Sequence, residues 1–226
     1  MGNNKMALAL QAIIKFGLGF LIIGSFLFVC AGTISYFHGW LFLISLMLPM
    51  IGLGLYLLLK SPETLKRRLQ TNEKEEKQKL YVIIIGIQFL ASFALAGLDY
   101  RFAWSQMPIW VSFVAVGIML VGYILYCVVM MQNTYASRTV EVQEEQEVIT
   151  TGLYAWVRHP LYTACLLIFM CMPIILGSYY AFLFMLPLPY MINQRAKNEE
   201  QVLKVGLKGY QEYLGKVKYR YFPYIW

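Results

Sequence analysis

The sequence is poor in charged residues and has almost no histidine. Charged side chains make up 14% of its 226 residues, whereas soluble domains average about a quarter. It has two histidines, four cysteines and no Cys-x-x-Cys pair, which disfavours zinc-binding and disulfide-stabilised classes. We find no Ser-His-Asp or Cys-His arrangement. The glycine-rich stretches 17–24 and 52–55 follow no predicted strand, so they indicate close helix packing rather than a phosphate-binding loop.

Hydrophobic residues, by contrast, make up 59% of the chain and lie in long runs. Four runs approach or exceed the roughly 20 residues that cross a bilayer, and the first is too long for the apolar part of a signal peptide. Two shorter runs, separated by Gly177, predict a tight helical hairpin. We therefore predict an all-α, polytopic transmembrane bundle of about six spans, with five as the alternative. The runs are Leu8–Cys30, Gly39–Leu59, Leu80–Leu98, Ile109–Met131, Leu161–Leu176 and Ser178–Ile192.

The positive charges are distributed unevenly along the chain. Sixteen of the 19 Lys and Arg residues lie in the 60–79 loop, in the 195–226 tail, or at Arg138 and Arg158. The positive-inside rule then places both termini and these segments in the cytoplasm. The net charge of +7 indicates attraction to membrane lipids rather than to nucleic acid.

A polar cluster stands where the fifth apolar run begins. Pro160 disfavours helical geometry at His159 and suits the first turn of a helix. The free N–H groups of that helix end, together with Arg158 and His159, predict a site for a carboxylate or other anion. Interfacial anchoring is the simpler alternative.

Two further polar segments lie after the apolar hairpin. On a helix, Arg195 and Glu199 share a face while Glu200 is turned about 100° away; an ordinary surface ion pair is the alternative interpretation. Most of the aromatic tail 209–226 is expected to lie on lipid headgroups. Earlier in the chain, the segment Glu141–Val148 predicts a short surface helix or an extended lead into the site.

The order of these motifs resembles that of a known family. Gly-x-Tyr-x-x-x-Arg-His-Pro-x-Tyr (152–162), a short apolar hairpin, and Arg-x-x-x-Glu-Glu (195–200) are similar to the isoprenylcysteine carboxyl methyltransferase family. The resemblance covers roughly 138–223. It implies a membrane-embedded enzyme that uses S-adenosyl-L-methionine. Residues 1–131 would form the N-terminal transmembrane helices, and residues 132–226 would form the methyltransferase region with the helical hairpin, a cytoplasmic cofactor pocket and the cytoplasmic tail.

The resemblance also implies roles for individual residues. Arg195 would face the methyl acceptor and is the predicted catalytic residue. At Thr139 the sequence departs from eukaryotic members, which have glutamine, and this leaves the upstream pocket wall and the acceptor open. The predicted cofactor-binding residues are Val148, Ile149, Tyr154, Arg158, His159, Pro160, Leu161, Tyr162, Glu199 and Glu200.

The implied reaction is carboxyl methylation of a prenylated or other lipophilic acceptor, without a metal or nucleic-acid partner. A carboxylate acceptor is already ionised and needs no general base, whereas an amine would have to lose a proton. Two alternatives stay open. One is methylation of a phospholipid amine or a small thiol. The other is a different membrane protein on the same scaffold, such as a reductase that uses NADPH.

Overall fold

A computed structural model describes residues 2–70, 73, 75–137, 139–143 and 145–225, with side chains from residue 5 onward. Arg138, the first residue of the predicted resemblance, lies outside this part. The described residues form nine α-helices and no β-strand, which confirms the all-α prediction. The helices are α1 (Gly2–Ala31), α2 (Phe37–Lys60), α3 (Pro62–Leu69), α4 (Glu76–Phe102), α5 (Ile109–Gln132), α6 (Pro160–Ile175), α7 (Tyr179–Met185), α8 (Leu188–Gly206) and α9 (Tyr210–Lys216), and a 3-10 turn (Gly152–Ala155) precedes α6.

Four helices, α1, α2, α4 and α5, are long and apolar enough to cross a membrane. Each has at least 24 residues, and at a rise of 1.5 Å per residue this exceeds the roughly 30 Å of a hydrocarbon core. The protein is therefore an integral membrane protein. The core between these helices and α6 is aromatic and aliphatic, with Leu27, Phe42, Met119 and Ile175 almost fully buried.

The predicted hairpin is present, but its second arm is interrupted. α6 and α7 are joined at Gly177, whose φ of 75° lies in the left-handed region. Within the apolar run Ser178–Ile192, α7 ends at Met185 and a new helix, α8, begins after Pro187. Proline lacks an N–H and clashes with the preceding turn. The described part thus has four helices of full spanning length and a short hairpin that leads into α8.

The predicted glycine-rich stretches contribute only in part to helix packing. An added Cβ at Gly24 would lie 3.4 Å from Leu43 and one at Gly54 would lie 3.9 Å from Phe16, which are ordinary contacts, whereas the other three glycines of these stretches have no neighbour within 4 Å. At Gly97 of α4, by contrast, a Cβ would lie 2.6 Å from the Cβ of Cys30 in α1, and at Gly122 of α5 it would lie 2.9 Å from Ile168 of α6. Glycine-rich spacing did not reveal which helix face has a close neighbour.

Three tyrosines of the C-terminal tail pack inside the protein, so the expectation that most of the tail lies on headgroups is wrong for these side chains. Tyr210, Tyr213 and Tyr221 are each less than 5% exposed, whereas Tyr224 and Ile225 at the end of the tail are over 80% exposed. Two of the buried hydroxyls have hydrogen-bond partners within the protein. The Tyr213 hydroxyl, for example, donates to the carbonyl of Tyr154 at 2.7 Å.

Candidate active site

The Arg158-His159-Pro160 segment begins α6 as predicted. His159 occupies the N-cap position and Pro160 the first turn of the helix. The N–H groups of Arg158 and His159 donate to the carbonyls of Tyr219 and Arg220, at 3.0 and 2.9 Å. The tail therefore runs beside this segment and fixes its backbone.

The carboxylate that Arg158 and His159 bind is the chain's own Glu200. Its Oε1 lies 3.2 Å from both Arg158 Nε and His159 Nε2. Arg220 of the tail donates to both Glu200 oxygens, at 3.1 and 2.9 Å, and to Asn193 Oδ1 at 3.1 Å. The anion site predicted from the sequence is thus a buried internal network that joins α6, α8 and the tail.

These contacts control the ionisation of Glu200. Burial alone would raise its pKa, but hydrogen bonds from His159 and Arg220, with the charge of Arg158, lower the pKa to about 2. Glu200 is consequently a carboxylate at physiological pH. The hydrogen bonds from its neighbours and the charges of Arg158 and Arg220 compensate for the loss of hydration.

Glu200→Gln should therefore remove a pH-dependent part of the stability. With a folded-state pKa near 2 and an ordinary value of 4.5, the carboxylate stabilises the fold fully above about pH 4.5 and loses this effect as the pH falls towards 2. We expect the difference in melting temperature between wild type and E200Q to be largest near neutral pH and to narrow below about pH 4.5. Glu76→Gln is the control, since that side chain is 83% exposed. A difference that stays constant with pH would contradict the account.

A cavity of about 560 Å³ lies beside this network. It brings together most of the predicted site residues, although Pro160 and Glu200 are not among its lining. Thr139, the position of the departure from the family pattern, also lines it. The predicted residues in the lining are Val148, Ile149, Tyr154, Arg158, His159, Leu161, Tyr162, Arg195 and Glu199.

The cavity is lined by two kinds of residues that come from different parts of the chain. The first kind, called the polar side, consists of polar and aromatic residues of the 133–149 segment together with Tyr154, Tyr210 and Tyr213. The second kind, called the apolar side, comes from α2, α4, α6 and α8. Its residues are Met50, Val82, Ile85, Gly86, Phe89, Cys165, Phe169 and Ile192.

Arg195, Tyr162 and Glu199 are connected in a row within the lining. The Tyr162 hydroxyl donates to Glu199 Oε2 at 2.6 Å, and Arg195 Nε donates to the same hydroxyl at 3.2 Å. Burial alone would lower the pKa of Arg195, but Tyr162 and Glu199 together raise it. Its guanidinium is therefore a permanent positive charge in the cavity wall.

The polar side also contains the half-buried Tyr154. The Tyr154 hydroxyl accepts a hydrogen bond from Asn133 Nδ2 at 2.9 Å. Burial raises the pKa of Tyr154 to about 12, although the Asn133 contact acts in the opposite direction. Tyr154 is thus neutral at physiological pH, and its hydroxyl and ring are available to a ligand.

The described residues of the 133–149 segment, called the cover, form part of the cavity lining. They are held by side chains whose role the sequence did not reveal. Arg67 donates to the carbonyl of Thr134 at 2.6 Å, and Arg68 to that of Ser137 at 2.8 Å. Arg68 also donates to the Tyr126 hydroxyl. From the charge distribution, Arg67 and Arg68 indicate only which side of the membrane the loop faces. No local sequence pattern shows that they also bind backbone carbonyls of the 133–149 segment.

The predicted lead segment Glu141–Val148 is not helical in its described residues. It is held instead by turns and side-chain contacts, such as Gln146 Oε1 accepting from the N–H of Gln143 at 2.9 Å. Val148 lies at the end of this segment and reaches the cavity. Of the two predicted forms, the extended lead fits the described residues.

The described residues contain no group of three or more His, Cys, Asp or Glu side chains that could hold a metal ion. Within the same residues, the principal features are four helices of membrane-spanning length and a cavity lined by α5, α6, α8 and the 133–149 segment. These define a polytopic membrane protein with a candidate ligand site.

The comparison with known families gives a more specific class. Residues 110–205, from the start of α5 to the end of α8, match the model of the Isoprenylcysteine carboxyl methyltransferase (ICMT) family. The match confirms, over these residues, the resemblance predicted from the motifs, and it supports a membrane methyltransferase. A search of curated proteins returned no match.

Proposed function

We propose that the protein transfers a methyl group from S-adenosyl-L-methionine to the carboxylate of a lipophilic acceptor of the isoprenylcysteine kind. The observation that carries this proposal is a cavity whose lining combines polar and aromatic residues with apolar helix residues and includes the hydrogen-bonded row of Arg195, Tyr162 and Glu199. Such a cavity suits two ligands of different polarity. The family match supports the same class of reaction.

The polar side fits a sulfonium-bearing nucleoside. The volume of the cavity is within the range of small-molecule sites, about 300–1,000 Å³. Glu199 offers a carboxylate to hydroxyl groups or to the positive charge of the ligand, and the tyrosine rings can contact a cation or an aromatic base. S-adenosyl-L-methionine supplies, when bound, a methyl group activated by a positively charged sulfur.

Arg195 would orient the acceptor. Its guanidinium matches a carboxylate with two parallel hydrogen bonds, and Tyr162 holds its Nε side at 3.2 Å. An ionised carboxylate needs no base, so the protein chiefly has to align the reactants, a contribution that can reach about 7–11 kcal/mol. The reaction neutralises opposite charges, and a site with little water favours such a step.

The apolar side would hold the hydrocarbon part of the acceptor. Its residues come from α2, α4, α6 and α8, and Phe89 of α4 and Phe169 of α6 are in edge contact at 5.0 Å between ring centroids. A small hydrophilic acceptor would leave this surface unfilled. Burial of apolar chain against it contributes roughly 25 cal/mol per Å².

A thermal-shift measurement separates this function from the reductase alternative. We expect S-adenosyl-L-methionine to raise the melting temperature of the purified protein in detergent, because a ligand that binds only the folded state stabilises it. NADPH at the same concentration should have no effect. A shift with NADPH alone would overturn the proposal and favour a reductase.

We further propose that the termini, the 60–79 loop and the active site face the cytoplasm, on the strength of the positive-inside rule. Glu76 lies at the cytoplasmic end of α4 in this orientation, and its side chain is 83% exposed, whereas Thr71 in the middle of the loop lies outside the described residues. A cysteine at Glu76 should react with an impermeant maleimide only after the cells are opened. A cysteine at the exposed Ser35, in the loop between α1 and α2, should react in intact cells. The reverse pattern would invert the orientation.

A further inference from the structure

Glu73 connects the cover of the cavity to Arg195. The residue precedes α4 and is only 8% exposed. Its two carboxylate oxygens each lie 3.2 Å from the N–H nitrogen of Val140 in the cover segment. Its Oε2 also lies 3.7 Å from Arg195 Nη2. One buried carboxylate thus contacts both a wall of the site and the residue proposed to hold the acceptor.

The start of α4 holds Arg195 at a second point. Gln78, which is fully buried, donates from Nε2 to the carbonyl of Arg195 at 3.0 Å. The backbone of Arg195 is therefore held by Gln78, while its side chain lies between the Tyr162 hydroxyl and Glu73. These contacts orient the guanidinium towards the cavity that it lines.

The charge of Glu73 is suited to this position. A buried carboxylate is costly unless it is paired and hydrogen-bonded. Its partners here include the backbone N–H of Val140 and the guanidinium of Arg195, so one carboxylate connects the 133–149 segment to Arg195. An amide in its place would still accept from Val140 but would lose the attraction to Arg195.

We propose that Glu73 is a positioning residue for the acceptor: it orients Arg195 and connects that orientation to the position of Val140 in the 133–149 segment. This inference rests on the proposed function. It assigns an acidic residue of a largely basic loop a role in the reaction that neither the motifs nor the family match indicates.

Glu73→Gln tests the charge separately from the cover contact. We expect the acceptor KM to rise, or kcat/KM to fall, by about tenfold, as for loss of one charged contact, with the Kd of S-adenosyl-L-methionine within about twofold of wild type. Glu73→Ala loses both contacts and should also lower the melting temperature. Glu76→Gln, which removes an exposed charge three residues later at the start of α4, should match wild type in all three measurements.

The double variant E73Q/R195K adds a readout that a purely structural role would not produce. If Glu73 acts through Arg195, the two losses in kcat/KM should be clearly less than multiplicative. If E73Q has wild-type acceptor kinetics, the role of Glu73 is overturned and the proposed function is unaffected. The same holds if E73Q weakens cofactor binding, melting temperature and acceptor kinetics in parallel. A wild-type protein that transfers no methyl group would overturn the proposed function and this inference with it.

Discussion

Arg195→Lys is expected to lower methyl transfer by about 10- to 1,000-fold, a loss of roughly 1.4–4 kcal/mol in transition-state stabilisation. Lysine keeps the positive charge but lacks the planar pair of N–H donors that grips a carboxylate. In wild type, Arg195 Nε donates to Tyr162 and Nη2 lies near Glu73. A lysine ammonium cannot reproduce both contacts and bind an acceptor as well.

The affinity for S-adenosyl-L-methionine should change little in R195K, because Glu199 and the tyrosines of the polar side remain. Calorimetric titration of the cofactor and single-turnover methyl transfer measure both quantities on one preparation. If Arg195 only supports Glu199 through Tyr162, cofactor binding would collapse together with turnover. That result would remove Arg195 from the acceptor side.

Glu199→Gln and Glu200→Gln should have opposite signatures although the residues are adjacent. Glu199 lines the cavity and accepts from Tyr162 at 2.6 Å, whereas Glu200 is turned into the network with Arg158, His159 and Arg220. We expect Glu199→Gln to weaken S-adenosyl-L-methionine binding by about 10- to 100-fold, the cost of one or two charged contacts.

Glu200→Gln should chiefly lower the melting temperature, since it leaves cationic side chains without their buried partner. Its effect on the cofactor Kd, measured well below the melting temperature, should stay within about threefold. Equal losses of affinity in both variants would contradict the assignment of Glu199 to the ligand and Glu200 to the fold.

Periodicity and local backbone chemistry were sufficient to predict the main helices from the sequence. Apolar run length predicted the four long helices, Gly177 the turn of the hairpin, and Pro160 the start of α6. Helical spacing correctly separated Glu199 from Glu200, because neighbouring residues on a helix point about 100° apart.

The missed features depend on contacts between distant segments. Arg220 lies 20 positions after Glu200, and Glu73 lies 67 positions before Val140. The charge pattern of the sequence placed Arg220 in a tail at the membrane surface and Glu73 in a cytoplasmic loop. Nothing in either local sequence indicates burial, since a buried charge is recognised only by the partners that the fold brings to it.

The break at Pro187 was missed for a different reason. Leu186, Pro187, Leu188 and Pro189 are apolar, so hydropathy continues across them, while the backbone hydrogen bonds do not. The length of the apolar run therefore overestimated the length of the continuous helix in the last apolar segment. α8 begins at this break, and its later turns bring Arg195 and Glu199 beside Tyr162 in the first turn of α6.

Transfer of a labelled methyl group from S-adenosyl-L-methionine tests the central claim most directly. Membranes containing the protein would be incubated with the labelled cofactor and with a short S-prenylated cysteine that has a free carboxylate. A matched reaction would contain the same compound as its amide. The proposed function predicts label in the carboxylate compound, absent from the amide, and released by mild base because methyl esters hydrolyse. Label that resists base and is found in phospholipid amine or thiol instead would contradict carboxyl methylation.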